Sequence, residues 1–363
     1  MQTYHTLCGG GMPLNRIVMA GSHDAGINAG KWYARTQSHD IKAQAKAGVR
    51  LFDLRIAAAT GDGRTGNVKN ADLRAYHADG AAKSTETKSR YVAEIGRTVT
   101  LDRSSIRMGA FGETLGDMLA QARAFVEKHD TEFLILKFDK CLNWSLVAEA
   151  CVTLLGDTIY KGKGSINELT LDHRRLKGKV VCAFTSDGLT AIGNAFTPND
   201  GIVGIINLNG GPGYSSRYDG LQYYGKGGTS LMGLRPKTEN RKKQSKLMLN
   251  GINSDPQAMG MMYWTSTGLM GSIKSRNEGM WKSTQRDSLA HTWNNGLSAS
   301  IDNQLNGNLN PFSAGGALLK TFMPNIVMID FADVEKCALI MDLNKVAAHE
   351  LARVKKGDIE LDD

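Results

Sequence analysis

Five short segments of the chain place charged or imidazole side chains at the ends of apolar runs. They are GSHDAG (21–26), FDLR (52–55), AYHA (75–78), LILKFD (134–139) and MIDF (328–331). His23 and His77 can exchange protons near neutral pH, and Arg55 and Lys137 can neutralise an anion. A phosphodiester is cleaved when one histidine takes a proton from an attacking hydroxyl and the other protonates the leaving oxygen. The combination therefore predicts acid–base chemistry at phosphate.

Each segment also has a purely structural interpretation. A single histidine at a strand end is commonly a packing residue, and Lys137 can be a solvated strand end. Asp53 and Arg55 lie two positions apart, so in a strand both side chains point to the same face, where they can form a structural ion pair. The catalytic hypothesis depends on all five segments meeting at one place.

The apolar runs alternate with helical patterns, which predicts an α/β fold with a parallel sheet. Strands are predicted at 15–20, 49–55, 73–77, 132–138, 179–184, 202–207, 259–264 and 325–331. Helices are predicted at 40–48, 114–130, 144–155 and 334–356. Catalytic side chains in such folds gather at the carboxyl ends of the strands, where the five segments lie.

Three long polar segments, 78–112, 208–256 and 265–323, are rich in Gly, Asn and Ser and are typical of loops. No linker divides the chain into two cores. We therefore predict a single domain over 1–363, with these segments as insertions.

Composition limits the classes of protein that the chain can be. Its 363 residues carry 44 Lys and Arg against 36 Asp and Glu, a net charge of +8. This balance favours anionic partners, either nucleic acid, phosphorylated ligands or a membrane surface, although an enzyme with a mildly positive surface explains it equally well. The five cysteines form no CxxC pair, so neither a zinc site nor a disulfide framework is predicted. The apolar runs are too short to cross a bilayer, and the start of the chain does not read as a signal peptide.

The segments GSHDAG, GVRLFDLR, AYHA and VMIDF resemble the catalytic X-box region of bacterial-type phosphatidylinositol-specific phospholipase C, in the superfamily of phospholipase C-like phosphodiesterases. The resemblance covers about 1–140 and resumes at 176–184 and 324–331, whereas almost nothing matches between 208 and 323. It implies an irregular (β/α)8 TIM barrel with long loop insertions.

The resemblance also implies catalytic roles. His23 is expected to be the general base, oriented by Asp330, and His77 the general acid, oriented by Asp53. In the family the attacking hydroxyl belongs to the inositol ring itself, so the phosphate cyclises, diacylglycerol leaves, and water opens the ring later.

Arg55 is expected to contact the phosphate and to pair with Asp24. Calcium-dependent relatives place further ligands where the bacterial enzymes have this arginine. A fixed guanidinium supplies the positive charge of the ion and repels it, so we predict that no metal and no other cofactor is required.

The pocket for the headgroup departs from the family pattern. Family members have an Arg at the end of the fifth strand and an Asp-x-Tyr at the end of the sixth. The strands counted here as fifth and sixth offer Thr185 and Asn207 instead, while Lys137 still matches. We predict a substrate-binding set of Lys137, Thr185, Asn207 and Trp264, and either poor cleavage of inositol lipids or preference for another headgroup.

Trp32 and Tyr33 follow the first histidine and are flanked by basic residues, which suits contact with a membrane. A buried position over the barrel mouth is an equal alternative. The expected partners are a phospholipid or phosphorylated alcohol and a peripheral membrane surface, with no nucleic acid. We expect a monomer that is secreted or exported without a visible signal peptide and acts at membranes, although a cytoplasmic location remains open.

Two other functions remain open at this level. A metal-dependent glycerophosphodiesterase or a sphingomyelinase D-like enzyme has the same fold, but typically carries Glu-x-Asp where this chain has Asp53-x-Arg55. A non-catalytic lipid-binding module could retain the barrel without turnover. The presence of both His23 and His77 argues against that second alternative.

Overall fold

The structure of the protein is a computed structural model. The described residues are 3–29, 34–59, 73–78, 81–104, 106, 109–227, 239–240, 243–244, 257–266, 272–281 and 324–355. Trp32 and Tyr33 lie outside them.

The strands build one closed barrel and one separate sheet. In chain order they are β1 (Met19–Ser22), β2 (Val49–Leu54), β3 (Ile56–Ala59), β4 (Leu73–Ala78), β5 (Glu86–Val92), β6 (Arg97–Ser104), β7 (Gly109–Thr114), β8 (Phe133–Phe138), β9 (Lys179–Phe184), β10 (Ile202–Asn207), β11 (Gly220–Lys226), β12 (Met259–Trp264) and β13 (Ile326–Ile329). The barrel is parallel and runs β1-β2-β8-β9-β10-β11-β12-β13. The second sheet runs β5-β6-β3-β4-β7. The predicted TIM-type barrel is confirmed.

The described helices are α1 (Tyr4–Cys8), α2 (Ile41–Ala47), α3 (Leu115–Lys128), α4 (Trp144–Leu155), α5 (Ser186–Ile192), α6 (Ile273–Trp281) and α7 (Val334–Lys355). The four predicted helices are confirmed, and local sequence explains their ends. The side chain of Asp40 caps α2, which ends at Gly48 with a φ of 129°. The side chain of Thr114 caps α3 by accepting the N–H of Asp117.

The barrel strands are apolar on both faces because both faces are covered. In β8, Phe133 and Ile135 point into the barrel, whereas Leu134 and Leu136 pack in the layer between barrel and helices. This alternation continues to the end of the strand, so Lys137 points inward where the barrel opens.

One predicted barrel strand is wrong and one barrel strand was not predicted. The segment 73–77 forms β4 of the second sheet, whereas β11 completes the barrel from within a segment predicted as a loop. The sequence GLQYYGK hides this strand because Gln222 interrupts its apolar pattern. The side chain of Gln222 is buried and satisfied by Ser165 and Ser215. In the first predicted strand, 15–20, the strand begins only at Met19, and a short 3₁₀ helix (Leu14–Arg16) precedes it.

The second sheet is connected directly to the barrel strand β2. β2 ends at Leu54 and β3 begins at Ile56, so the chain leaves the barrel at Arg55. β4 runs antiparallel to β3 and brings His77 back toward the mouth. The hairpin of β5 and β6 belongs to the segment 78–112 that was predicted as a loop. Its largely exposed polar side chains gave no strand pattern.

Candidate active site

His23 stands at the end of β1, where the main chain is tied to β13. Its N–H donates to the carbonyl of Ile329 at 3.0 Å. The buried amide of Gln37 donates to the carbonyl oxygens of His23 (2.9 Å) and Ile329 (3.3 Å). The ends of the first and last barrel strands are thus clamped by one side chain, which fixes the backbone beneath the imidazole.

Asp24 follows in a left-handed backbone conformation, with a φ of 43°. This conformation is unfavourable for a residue with a Cβ, and it persists because surrounding contacts determine it. The hydroxyl of Thr36 donates to the Asp24 carbonyl at 2.9 Å, and the N–H of Ala25 donates to the carbonyl of Asp53. The result is a fully buried carboxylate placed in the barrel mouth.

The His23 imidazole is oriented by Asp330. Its Nδ1 donates to Asp330 Oδ1 at 2.9 Å, whereas Nε2 lies 3.6 Å from Asp24 Oδ2, too far for a good hydrogen bond. The ring also meets the edge of Tyr263, with centroids 5.8 Å apart. Burial alone would lower the pKa of His23, but the carboxylates of Asp24 and Asp330 outweigh it and raise the pKa to about 9.

Asp24 joins the second histidine and the arginine. Its Oδ2 accepts from His77 Nδ1 at 2.5 Å, and its Oδ1 lies 3.3 Å from Arg55 Nε. Burial alone would raise the pKa of Asp24, but the positive charges of His23, Arg55 and His77 hold it well below its usual range. The expected pairing of His77 with Asp53 is therefore wrong. β4 belongs to the second sheet, and this sheet delivers His77 to Asp24.

Asp53 pairs with Lys137 instead. The two residues are direct neighbours in the register of β2 and β8, and Lys137 Nζ lies 2.6 Å from Asp53 Oδ1 and 3.5 Å from Asp139 Oδ2. Burial would lower the pKa of Lys137, but the charge of Asp53 raises it above its usual value. Tyr223 and Tyr263 lie in the same environment. Burial raises the pKa values of both tyrosines, and the charges of Lys137 and Asp53 act on them as well.

Trp264 does not belong to this site. Its side chain is fully buried in the layer outside the barrel, and the preceding Tyr263 takes the inward position. The inward-facing aromatic residue was expected at Trp264, one position after Tyr263. A step of one residue along a strand moves a side chain to the opposite face.

Thr185 and Asn207 stand at the ends of β9 and β10. The Thr185 hydroxyl oxygen is buried without a hydrogen-bond partner among the described residues, and the exposed Asn207 donates to the carbonyl of Gly225 at 3.1 Å. These strands are the fourth and fifth of the barrel, because β4 was miscounted as a barrel strand. The sixth strand is β11, and it places Tyr223 on the inner face. The expected lack of an aromatic residue on the sixth strand is therefore wrong.

Within the described part of the chain, one cluster could hold a metal ion. Ligand atoms of His23, Asp24 and Asp53 lie within 4.8 Å of one another. Both carboxylates already face positive charge, Asp24 from Arg55 and Asp53 from Lys137. An ion at this place must displace at least one of these pairs.

A cavity of about 370 Å³ lies beside the site and is distinct from it. Its wall includes His39, Asn277, Phe331 and Lys336, and none of the catalytic candidates lines it. Among the residues of this wall, Asn277 bonds directly to the Asp330 carboxylate that orients His23.

Asn277 was not predicted from the sequence. It lies on α6, inside the segment 265–323, and donates to Asp330 Oδ2 at 2.9 Å. Nothing in that polar segment distinguished this asparagine from its neighbours. Thr36 and Gln37 hold the backbone of the His23–Asp24 turn.

The cluster can transfer protons at two points. The imidazoles of His23 and His77 each direct Nδ1 to a carboxylate, so each can present Nε2 to a substrate. The guanidinium of Arg55 lies next to the carboxylate to which His77 is bound. This is the arrangement that a general base, a general acid and an anion-binding group require.

No protein-family model matches the chain, and no curated protein matches it in sequence. Solved structures do match. A structure of phosphatidylinositol-specific phospholipase C from Staphylococcus aureus covers 94% of this chain and 96% of its own, with a TM-score of 0.53 and 14% identity. The enzyme from Listeria monocytogenes covers 92% of this chain and 94% of its own, with a TM-score of 0.44 and 15% identity. The chain thus has the fold of the bacterial phosphatidylinositol-specific phospholipases C.

Proposed function

We propose that the protein is a phospholipase C-like phosphodiesterase that works by acid–base catalysis without a metal. One observation carries the proposal. Two histidines lie on either side of the buried Asp24, each with Nδ1 held by a carboxylate, and Arg55 pairs with the same aspartate. A binding module has no need for two imidazoles that are each oriented by a buried carboxylate.

The reaction follows from this placement. Nε2 of His23 takes the proton of a substrate hydroxyl, and the resulting oxygen attacks phosphorus. The bond from phosphorus to the leaving alcohol breaks as His77 donates its proton to that oxygen. Arg55 neutralises the charge that builds on the non-bridging phosphate oxygens. Asp24 supports this step because its Oδ2 holds Nδ1 of His77 and so orients the ring.

The inner wall of the barrel supports a polyol phosphate as the group recognised. Asp53, Lys137 and Asp139 offer acceptors and a donor for vicinal hydroxyls, and the ring of Tyr223 offers a flat face for a sugar or cyclitol. Thr185 and Asn207 remain candidates at the rim. We propose a phospholipid substrate such as phosphatidylinositol.

Membrane contact is proposed to be peripheral. None of the described helices is both long enough and apolar enough to cross a bilayer. The net charge of +8 favours an anionic lipid surface, and Trp32 and Tyr33 remain the proposed contact. A monomeric single domain that acts outside the cell is part of the same proposal.

The test is turnover on vesicles that carry different phospholipid headgroups, with and without exhaustive chelation. We expect a cyclic or open phosphorylated alcohol and diacylglycerol, with the rate unchanged by chelation. Loss of activity on chelation would support the metal-dependent alternative. Vesicle binding without any turnover would support the binding module.

A further inference from the structure

We propose that Asn277 is a positioning residue for the catalytic base, acting through Asp330. This inference rests on the proposed function, since it assigns a role within the same proton-transfer chain. The three side chains form a continuous line. His23 Nδ1 donates to Asp330 Oδ1, and Asn277 Nδ2 donates to Asp330 Oδ2, both at 2.9 Å.

The orientation of the Asn277 amide is fixed by its other contacts. Its Oδ1 accepts the N–H of Ser266 at 2.9 Å, so the oxygen side of the amide cannot face Asp330. Its Nδ2 also lies within reach of the carbonyls of Ser266 (3.3 Å) and Ile273 (3.0 Å). The amide therefore presents a donor to the carboxylate, and it holds that donor in one place.

Burial makes this donor important. Asp330 is fully buried and Asn277 is 1% exposed, so water cannot easily replace the bond. With one oxygen on His23 and the other on Asn277, the carboxylate cannot rotate about its own axis. The imidazole that it holds is thereby fixed in tautomer and direction.

The amide also moderates the charge that His23 experiences. The groups that face this imidazole are the carboxylates of Asp24, Asp53 and Asp330 and the edge of Tyr263. A neutral donor on Asp330 draws charge away from the histidine. Without it, the imidazolium form of His23 becomes more favourable, and less of the base is available at a given pH.

The position of Asn277 distinguishes its role from the general packing of the barrel strands. It comes from α6, outside the barrel strands, and the same helix forms part of the wall of the neighbouring cavity. Its contact with Asp330 spans 53 positions of the chain. We infer that α6 supports the catalytic base as well as covering the barrel.

The variants Asn277→Leu and Asn277→Asp test the inference. The leucine removes the donor. The aspartic acid keeps an acceptor for Ser266 and, being buried against Asp330 and two carbonyl oxygens, holds a proton that it can donate to Asp330. We expect kcat to fall about 10- to 100-fold in Asn277→Leu and less in Asn277→Asp. KM should change less than about twofold, because the residue does not touch substrate.

A titration of the His23 ring by NMR provides a readout that needs no substrate. We expect its midpoint to rise in Asn277→Leu and to stay closer to that of the wild type in Asn277→Asp, which keeps a donor to Asp330. The control is Asn167→Leu, which removes another fully buried amide, one that donates to the carbonyls of Gln222 and Gln257. It should lower stability and leave the His23 midpoint unchanged.

The wild-type protein supplies a measurement that no folding defect can spoil. In an NMR titration with pH, the signals of the side-chain amide protons of Asn277 should change at the same midpoint as His23, and those of Asn167 should not. If the Asn277 signals do not change there, or if folded Asn277→Leu keeps both the wild-type midpoint and the wild-type kcat, the inference is overturned. If the wild type cleaves no phosphodiester but the midpoints move, the proposed function fails and the positioning role stands.

Discussion

Two arginines at opposite ends of β2, one inside the barrel wall and one at the proposed site, are held in different ways. Arg50, near the start of the strand, is fully buried. Its Nε donates to Glu132 at 2.7 Å, and its Nη2 lies 2.5 Å from the same carboxylate without a well-directed hydrogen bond. Its Nη1 donates to two carbonyls, and the rings of Tyr4 and Phe125 each lie 5.1 Å from its guanidinium. This charge is enclosed on all sides.

Arg55, just past the end of β2, is held less completely. It lies 3.3 Å from Asp24, makes one 3.3 Å bond to the carbonyl of Ala78, and keeps 14% of its side chain exposed. Its Nε has no well-directed hydrogen bond among the described residues. Each arginine has one nitrogen without a well-directed hydrogen bond, so the difference between them is exposure: the guanidinium at the open end of the barrel can be reached by an anionic substrate, and the enclosed one cannot.

The largest effect is expected from the two histidines at the open end. His23→Ala and His77→Ala should each reduce kcat by about 10²–10⁴-fold, because each removes one proton transfer. Each variant should also lower the free energy of unfolding, since it leaves the buried Asp330 or Asp24 with one partner fewer, so kcat is compared at a temperature at which each variant is folded. Either variant turning over phosphatidylinositol near the wild-type rate contradicts the acid–base assignment.

Arg55→Lys should reduce kcat by about 10²–10³-fold although the charge is kept. A compact ammonium cannot reproduce the planar, two-pronged contact of a guanidinium with phosphate. The steady-state rate at saturating substrate measures this loss, and the thermal midpoint shows that the fold is intact. A variant with full activity would mean that Arg55 only neutralises Asp24.

Arg50→Met should act on stability alone. It leaves Glu132 buried without its partner, which typically costs about 3–5 kcal/mol in the free energy of unfolding. The matched control is the double variant Arg50→Met with Glu132→Leu, which removes both charges and should recover most of that loss. Urea unfolding measures both values. A large fall in kcat for the folded single variant would mean that this end of the barrel also supports catalysis.

The comparison of these two ends explains what could be predicted from the sequence. Apolar strands covered on both faces, and polar residues at their carboxyl ends, identify the barrel and place His23, Arg55 and Lys137 together. The pairing of Asp53 with Lys137 was not predicted, because it depends on the register of β2 and β8, which brings together residues 84 positions apart.

Other features depend on contacts that no local pattern encodes. Asp24 binds His77 because a second sheet folds back over the mouth, and Asn277 reaches Asp330 from a polar segment. β11 was not predicted because Gln222, which is buried and satisfied by loop residues, gives the segment the polar sequence pattern of a loop. These are tertiary arrangements, in which polar side chains replace the apolar signal that sequence patterns detect.

The smallest and most specific effect is a divergence of activity and stability with pH. The pKa of His23 is raised to about 9 in the folded protein from an ordinary value of 6.5, because of Asp24 and Asp330. The stabilisation by its protonated form is therefore complete below about pH 6.5 and is lost as pH rises through 9. The neutral base appears over the same interval, so kcat/KM should rise toward pH 9.

The control for this divergence is His23→Gln, which keeps a donor for Asp330 but cannot titrate. Its free energy of unfolding, measured in urea from pH 6 to 10, should decline less steeply than that of the wild type over this window. A wild-type enzyme whose kcat/KM is flat from pH 6 to 9 would show that His23 is not the base. Equal slopes for the two proteins would show that its proton is not retained in the folded state, and that the charges around Arg55 and His77 set the pH dependence instead.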